Sequence, residues 1–425
     1  MNMHATKHLH SALLSLCFLL VPTHCAAQVR QSGDFSRGST SLGVKAADPF
    51  DVGTGIYSRE YVDLFVKDTI PINFVRTQRN MDPRSRSLGV GGSTSYDMFI
   101  IGDVEHFSWV ALVLANGSQI RYGRVSPGKG FADAVFEDRA SPGKFLGSRI
   151  SWNQYGSWTV ALRDGTEFTV QGCGAKSKPG QCAVSEVKNA RGERLTVQRD
   201  RDGNIQRITS PHGHFVSVAN DSEGHITRVK DDSQRWVTYR YDDRGCLVEA
   251  RSWRGDQQKF AYDNQFNMTF VHEKGPRTKR TEAYNFTISN TYDEQNRFKR
   301  QKISTGEAYS AKYITDSNGH VRENDVHGPA GLSRYFFNEA GYETREEFRP
   351  SVGPGWTLER VYDANSNAAV EAILRCQTAK IRLPLELDTR LGEAGESRIT
   401  YLAEICERAE KKLRSEGKPT SGNEQ

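Results

Sequence analysis

Short segments in which apolar and polar residues alternate, divided by turn dipeptides, fill most of the first half of the chain. The stretch "WVALVLANGSQIRY" carries Asn116-Gly117 between two such runs, and "WTVALRDGTEFTV" carries Asp164-Gly165 in the same place. Alternation with a period of two is typical of strands with one buried face, and these dipeptides supply the positive φ of a tight hairpin turn. The pattern predicts a β-rich opening domain over residues 45–195.

From residue 196 onward the alternation acquires a longer period. An Asp or Asn anchor, in most units followed three residues later by Gly, recurs at Asp200, Asp221, Asp242, Asp263, Asp293, Asp316, Asn338 and Asp363. Successive anchors lie 21, 21, 21, 30, 23, 22 and 25 residues apart. Three equal intervals in a row indicate an internal repeat, which we place over residues 196–366.

Other positions of the repeat are aligned with the anchor. Tyr precedes it in several units and Gly stands three residues after it in others, at Tyr241, Tyr262, Tyr292, Tyr362, Gly203, Gly224, Gly245, Gly319 and Gly341. We expect the anchor carboxylate to accept hydrogen bonds from the backbone N–H groups ahead of it, while Gly adopts the left-handed conformation of a tight turn. Each unit is therefore predicted to be one β-hairpin, which stacking on its neighbours stabilises.

Beyond the last anchor the spacing of apolar residues becomes helical. The stretch "SRITYLAEICERAEKKLRSEG" has apolar residues at steps of 3, 4, 3 and 4 from Ile399 to Leu413, which gives one apolar stripe. We interpret "NAAVEAILRCQTAK" as a second helix, so residues 367–417 are predicted to form a helical cap, and residues 418–425 a disordered tail. The expected fold class is mainly β: antiparallel β-hairpin repeats in a curved sheet or partial shell, with a small helical C-terminal cap.

The first residues have the composition of an export signal. Lys7 precedes the apolar run "ALLSLCFLLV", which is followed by "PTHCAAQ". This order is typical of a secretory signal peptide, and the run is too short to cross a bilayer. We predict a signal peptide over residues 1–27, a flexible lead over residues 28–44, and a periplasmic or secreted protein with no integral membrane segment. Lipidation at Cys25 is disfavoured, because His24 is a poor residue before a lipidated Cys.

Export to an oxidising compartment makes disulfide bonds plausible. Cys173 and Cys182 enclose a turn segment whose ends would meet in a hairpin, and Cys376 and Cys406 both fall in the predicted cap. We predict these two pairs as disulfides. Cys246 is left over and is interpreted as a small buried apolar residue rather than as a reactive thiol.

The formal charge of the chain is +5, and removing residues 1–27 with Lys7 lowers it to about +4. This balance is mild and evenly spread, so it argues against nucleic acid as a partner.

The repeats carry a resemblance to a known family. The unit Tyr-Asp-x-x-Gly-x-Leu, clearest in "YDDRGCLVEARSWRGDQQKFAYD", resembles the YD repeat of the bacterial Rhs family. Upstream, "ADPFDVGTGIYSREYVDL", "IPINFVRTQRN" and "GGSTSYDM" resemble the segment that opens Rhs cores, at Asp48, Pro49, Asp51, Gly55, Pro71, Arg76, Ser95, Tyr96 and Asp97. Together these matches cover residues 45–365.

In that family the repeats wind into a curved β-sheet shell that encloses a C-terminal toxin in full-length members. This sequence departs from the family pattern: it has about eight repeats, too few to close a large shell, and it lacks the self-cleavage segment and a recognisable toxin domain. It also begins with a secretory signal instead of a spike-adaptor domain. The resemblance therefore implies the architecture of the family without its toxin.

Few residues offer chemistry beyond the fold. Eight equivalent anchors along a repeat cannot converge on one site, and "DRDGN" lacks the Gly position and distal Glu of a calcium loop. His212 and His214 share one face of a predicted strand, but no further residue at diagnostic spacing completes a metal site. Catalytic motifs such as HExxH, a phosphate loop or G-x-S-x-G are absent from the sequence. We expect no catalytic, cofactor-binding or metal-ligating residue.

Three functions stay open at this point. The first is a non-enzymatic scaffold or binding surface for a partner protein or the cell envelope. The second is a remnant or companion of an Rhs-type toxin-delivery shell. The third is a carbohydrate-binding or carbohydrate-active module, because Trp152, Trp158, Trp236, Trp253 and Trp356 suit stacking on sugars, although they also suit an aromatic core.

Overall fold

The computed structural model describes residues 45–46, 49–82, 84–139, 144–172, 179–276, 282–339, 341–363, 369–385 and 396–415. The predicted signal peptide, the flexible lead, the C-terminal tail and Cys173 lie outside these residues.

The elements of the described chain are almost all strands. They are β1 (Lys45–Ala46), β2 (Phe50–Asp51), β3 (Ser58–Val66), β4 (Ile72–Arg79), β5 (Ser85–Arg86), β6 (Gly89–Val90), β7 (Gly92–Thr94), β8 (Phe99–Gly102), β9 (Trp109–Val113), β10 (Gln119–Arg124), β11 (Val135–Glu137), β12 (Arg149–Trp152), β13 (Ser157–Ala161), β14 (Glu167–Gln171), β15 (Val184–Lys188), β16 (Arg194–Arg199), β17 (Ile205–Thr209), β18 (Phe215–Asn220), β19 (Ile226–Asp231), β20 (Trp236–Tyr241), β21 (Leu247–Ser252), β22 (Gln257–Tyr262), β23 (Met268–Gly275), β24 (Tyr284–Tyr292), β25 (Phe298–Ile303), β26 (Ala308–Thr315), β27 (Val321–Gly328), β28 (Gly331–Phe337), β29 (Glu343–Pro350), β30 (Trp356–Tyr362), β31 (Ala369–Arg375) and β32 (Lys380–Leu383). A 3-10 turn (Pro179–Cys182) and one helix, α1 (Glu396–Ser415), complete the described part.

Strands β8 to β32 form one antiparallel sheet of 25 strands. Within it each strand pairs with the next strand in the sequence, so the sheet is a succession of hairpins. The predicted fold class, a sheet of antiparallel hairpin repeats with a small helical cap, is confirmed. Outside this sheet, β3, β4 and β7 form a small sheet of their own, and β1–β2 and β5–β6 are short pairs.

The first strands of the sheet curl around a core of their own. A bridge between Phe99 and Ala183, supported by the hydrogen bond from Val184 N to Met98 O (2.9 Å), brings β8 against the start of β15. Strands β8 to β15 thereby enclose an apolar cluster that includes Tyr122 and Trp158. The predicted hairpins lie in this ring: β9–β10 turns at Asn116-Gly117 and β13–β14 at Asp164-Gly165, where of each pair the glycine alone has positive φ.

The anchor side chain lies in the hairpin turn of the repeat and accepts hydrogen bonds from the backbone there. Asp242 Oδ1 accepts hydrogen bonds from the backbone N–H groups of Arg244 (3.1 Å) and Cys246 (2.8 Å), and Gly245 has φ +77. Equivalent bonds to the second and fourth residues ahead are made by Asp200, Asp221, Asp263, Asp293 and Asp316, and Asn338 Oδ1 accepts the N–H of Tyr342. The anchors therefore satisfy turn donors that strand pairing leaves free.

The tyrosines of the repeat tie each hairpin to the one before. The Tyr241 hydroxyl donates to the carbonyl of Ile226 (2.6 Å), and Tyr262 donates to Leu247 (2.9 Å). The ladder between β19 and β20 ends at the pair Arg228–Thr238, so the carbonyl of Ile226 lies beyond the last paired residue. Tyr292 and Tyr362 make the same bond, to Met268 and Glu343. Each hydroxyl thus adds a hydrogen bond to a carbonyl of the hairpin before it.

The predicted two-helix cap is wrong in its first half. Residues 369–375 form β31, which pairs with β30, and β32 follows it, so the described residues 369–383 are not helical. Ala, Glu and Leu favour helices in isolation, but Ala372 and Leu374 lie two residues apart on one face of β31 and are fully buried. The pairing of β31 with the edge of the sheet overrides local propensity.

Helix α1 closes the end of the sheet. The predicted disulfide between Cys376 and Cys406 links it to the turn between β31 and β32. Leu402 packs in one cluster with residues of β30 and β31, and the buried Arg398 forms ion pairs with Glu343 and Glu346 of β29. Cys182 is also disulfide-bonded, while its predicted partner lies outside the described residues.

We expect Asp242→Ala to lower the free energy of unfolding by about 1 kcal/mol, because backbone N–H groups of one turn lose their acceptor. Asp243→Ala is the matched control, since Asp243 is the exposed neighbour of the anchor. Urea unfolding followed by tryptophan fluorescence measures both variants. Equal midpoints for the two variants would contradict the turn role of the anchor.

Candidate functional site

The opening segment, residues 49–98, packs on the inner face of the long sheet. The inner face is the side of β16–β28 that carries the repeat's buried apolar residues, such as Val216 and Val271. Phe50, Leu64 and Phe74 of the opening segment belong to the same apolar cluster as these residues. The opening segment therefore covers the inner face of the sheet that the repeats form.

Backbone hydrogen bonds fix the opening segment against the turns of the repeats. Val90 N donates to Gly245 O (2.9 Å), and Phe298 N donates to Gly55 O (2.8 Å). Gly55 has φ +75, and a Cβ atom there would lie 2.5 Å from Cβ of Arg297. A glycine at this position is required by the close approach of the two backbones.

Charged and phenolic side chains meet at the centre of this interface, in what we call the inner-face cluster: Arg59, Tyr61, Asp63, Arg76, Tyr239, Gln258 and Glu273. Arg76 binds Asp63 through two nitrogens, at 2.8 and 3.1 Å, and donates to Gln258 Oε1 at 3.1 Å. The Tyr239 hydroxyl donates to Asp63 Oδ2 (2.7 Å). Because Asp63 and Arg76 come from the opening segment and Tyr239 from the repeats, the cluster joins the two.

A second buried pair extends the cluster. Arg59 forms an ion pair with Glu273 of β23, and the Tyr61 hydroxyl donates to the same carboxylate at 2.6 Å. The guanidinium of Arg76 also lies over the ring of Tyr61, 4.2 Å from its centroid. Opposite charges are thus paired inside the interface, which offsets part of the cost of burying them.

Burial and the neighbouring charges shift the pKa of the two phenols and of Arg76 in the cluster. It raises the pKa of Tyr61 and of Tyr239 well above the usual value, so both phenols keep their protons and act as donors. Burial opposes the charge of Arg76, but the adjacent Asp63 more than compensates and raises the pKa of the guanidinium. With the phenols protonated and the carboxylates held by donors, the geometry supports cohesion of the interface rather than proton transfer.

The two histidines of "HGH" have separate partners. His212 Nδ1 lies 2.5 Å from Asp68 Oδ1 of the opening segment, and His214 Nδ1 lies 2.6 Å from Asp232 Oδ2. Across the described residues there is no group of three or more His, Cys, Asp or Glu side chains that could hold a metal ion. In the described part, no helix combines the length and the apolar character needed to cross a membrane.

The other residues singled out in the sequence stand apart from one another. The anchors from Asp200 to Asn338 occupy successive turns and each is bonded within its own turn, so the structure does not bring them together. Trp158 and Trp356 are buried, Trp152 and Trp236 are half-buried, and Trp253 is 43% exposed. Cys246 is a free, buried thiol whose pKa burial raises to about 11, so it is not a thiolate at neutral pH.

Sequence reasoning missed the inner-face cluster. Part of its signal was present: Arg59, Tyr61 and Asp63 alternate with period two along one strand. Glu273, ten residues after its anchor, stands where other repeats have polar or apolar residues, as at Ser210, Asp231 and Val326. The Rhs-like positions of the opening segment have roles in the same packing. Arg76 belongs to the cluster, and Asp97 Oδ2 accepts the N–H of Thr94 (2.7 Å).

Comparisons with known proteins give structural matches only. No family model matches the chain, and no curated protein matches it. The crystal structure of TcdB2-TccC3-TEV is similar over 75% of this chain and 22% of its own, with 9% identity and a TM-score of 0.35. The crystal structure of TcdB2-TccC3 matches 74% of this chain and 22% of its own, with 12% identity and a TM-score of 0.33. The Photorhabdus luminescens Tc holotoxin pore matches 79% and 21%, with 10% identity and a TM-score of 0.31. The chain thus spans about a fifth of the length of these structures.

We expect Arg76→Met to destabilise the protein by about 3–5 kcal/mol, because it leaves the buried Asp63 without its cation. Arg240→Met is the control: Arg240 pairs with Glu249 on the surface, where the loss is less than about 1 kcal/mol. Chemical unfolding measures both. A loss at Arg76 no larger than that at Arg240 would contradict a cohesive role for the cluster.

The Asp68–His212 pair predicts a pH dependence. The hydrogen bond and charge of Asp68 raise the pKa of His212 in the folded state. The stabilisation from charged His212 is complete below its unfolded pKa, about 6.5, and is lost as pH rises through the folded pKa. We expect His212→Gln to lower the thermal unfolding midpoint more at about pH 6 than at about pH 9. His327→Gln, at an exposed histidine, is the control; the same pH trend there would contradict the assignment.

Proposed function

We propose that the protein is an exported, non-enzymatic, Rhs-like repeat scaffold that binds a partner protein or the cell envelope. The observation that carries the proposal is the occupation of the inner face by the opening segment. This contact extends from the turn after β17, where Asp68 meets Ser210, to β27, where Asn324 Nδ2 donates to Val52 O (2.8 Å). The outer face and the hairpin turns are then the surfaces left to bind a partner.

A covered inner face favours this role over the enclosure of a cargo. A shell that carries a toxin needs a free inner surface, whereas here the apolar residues of β17–β28 share a core with residues such as Phe50 and Phe74. The chemistry of the inner-face cluster supports the non-enzymatic part, because its carboxylates are held by arginine and tyrosine donors. The Cys376–Cys406 disulfide supports export, since such bonds persist in oxidising compartments.

Export is tested by expressing the whole chain in a bacterial host and separating the cell fractions. We expect the protein in the periplasm or the medium, with Gln28 as its new N-terminal residue and with Cys376 and Cys406 oxidised. A variant that lacks residues 2–27 should stay in the cytosol, together with a cytosolic marker enzyme. Full-length protein that keeps Met1 and remains in the cytosol would contradict export.

The scaffold role is tested with the same exported protein as bait on envelope extracts. We expect a specific partner to be retained by the wild type and equally by the control variant Asp243→Ala. The bait should be recovered without any covalent change. If no specific partner is recovered, the binding-surface proposal loses its support.

A further inference from the structure

We propose that helix α1 is a releasable plug at the end of the sheet: the Cys376–Cys406 disulfide keeps it docked, and reduction of that bond by a dithiol lets it leave. This redox switch goes beyond the scaffold function and does not depend on it. Three features of the structure support it: the small apolar contact of α1, the charges beneath the helix, and the exposed position of Cys376.

One row of side chains attaches α1 to the rest of the protein. Among residues 398–415, the buried side chains are Arg398, Leu402, Cys406 and Glu410. They follow at steps of four and therefore lie on one face of the helix. Two of them are charged and one forms the disulfide, so Leu402 is the one fully buried apolar side chain among these residues. Ile399 and Ile405 contact the same apolar cluster but are only half-buried. Apolar burial, which stabilises most docked helices, is therefore a small part of this attachment.

The ion pair beneath α1 opposes release only weakly. Arg398 is 1% exposed and pairs with Glu346, while its Nη2 lies 3.5 Å from Glu343 Oε1. Among the described residues, its Nε and Nη1 have no hydrogen-bond acceptor. A buried ion pair with unsatisfied donors does not recover the free energy lost by desolvating its charges. Release returns Arg398 and Glu346 to water and removes that cost.

The last repeat differs from the others at the positions that α1 covers. Five residues after the anchor, the earlier units all have an apolar residue, from Ile205 to Val321, whereas the unit of Asn338 has Glu343. Eight residues after the anchor, the earlier units have no carboxylate, whereas this unit has Glu346. Carboxylates are hydrated when they become exposed, and apolar residues in their place would leave an aggregation-prone patch. The end of the sheet is thus suited to being uncovered.

The C-terminal half of α1 is attached to a single turn, the one between β31 and β32. Glu410 Oε1 accepts the backbone N–H groups of Thr378 (2.6 Å) and Ala379 (2.8 Å). Cys376, which binds Cys406, stands at the start of the same turn. The disulfide and the hydrogen bonds therefore act at one place, and no second buried contact holds this half of the described helix if the turn separates from it.

The disulfide can be reached from solvent at Cys376, which is half-buried between the exposed residues Arg375 and Gln377, whereas Cys406 is buried. A thiolate of the dithiol attacks Cys376 Sγ, the S–S bond breaks, and Cys406 leaves as a thiolate that takes up a proton. The second thiol of the reagent then displaces Cys376 from the mixed disulfide. Two electrons and two protons pass to the cysteines, and the dithiol becomes a disulfide.

Reduction removes the constraint that keeps α1 docked. The disulfide joins residues 30 positions apart, so it limits the conformational freedom that release would give to the helix and the segment before it. Once that freedom is restored, the buried contacts that remain are Leu402, the Arg398 ion pair and Glu410. Because most helical stability in proteins comes from packing, a released α1 exchanges its backbone amides quickly.

The test follows hydrogen exchange of the purified full-length protein, with its disulfides formed, before and after dithiothreitol. We expect amides of residues 398–415 to exchange at least about a hundredfold faster after reduction, while those of β20–β23 stay protected, since the opening is local. Cys376→Ser/Cys406→Ser should exchange quickly in α1 without dithiothreitol and should not respond to it. Cys173→Ser/Cys182→Ser, which lacks the other predicted pair, is the matched control and should respond as the wild type does.

A second pair of variants tests the role of the buried charges. Arg398→Met/Glu346→Met replaces the ion pair with apolar side chains, and we expect α1 of the reduced variant to exchange at least about tenfold more slowly than α1 of the reduced wild type. Arg408→Met/Glu404→Met is the matched control, because this pair lies exposed on the same helix. It should exchange as the reduced wild type does.

Three results would overturn the inference. The first is an α1 that stays protected after reduction, which would make the disulfide dispensable for docking. The second is a loss of protection in β20–β23 together with α1, which would mean that reduction unfolds the whole protein. The third is equal exchange of the two reduced methionine variants. None of these results bears on the scaffold function, which is tested separately by recovery of a partner.

Discussion

A sheet made of hairpin repeats has one apolar face, and the need to bury that face is the constraint on which the rest of the structure depends. Each hairpin buries little by itself, and stacking with its neighbours covers only its edges. The opening segment supplies what stacking cannot: Phe50, Leu64 and Phe74 complete the core of the repeats. The first residues of the fold and the repeats are therefore one cooperative unit, although they are separate in sequence.

Apolar contact alone would leave the position of the opening segment poorly defined. Side chains on a twisted sheet offer many similar apolar surfaces, so a segment could shift along the strands at little cost. The bonds of Asp63 to Tyr239 and of Arg59 to Glu273 join the opening segment to the sheet and are satisfied in one alignment only. Because a buried ion pair adds little net stability but makes misalignment costly, we interpret the inner-face cluster as the element that sets the register.

Short-range sequence rules were sufficient to predict the hairpins of the repeats. The period of the anchors and the glycine turns follow from short-range hydrogen bonding, and the structure has a hairpin at each of these places. The residues that a local rule could not place depend on distant partners. Tyr241 precedes an anchor because its hydroxyl reaches the preceding hairpin, and Ala372 lies in a strand because β30 offers an edge. Arg59 and Glu273 are 214 residues apart, so no sequence window contains both.

The distribution of charge follows from the same division of faces. On the inner side, carboxylates such as Asp63 and Glu273 are held by arginines, because an unpaired charge inside a core is costly. On the outer side no such requirement exists, and a cation can remain unpaired in water at little cost. Arg251 and Lys274 are therefore not explained by folding.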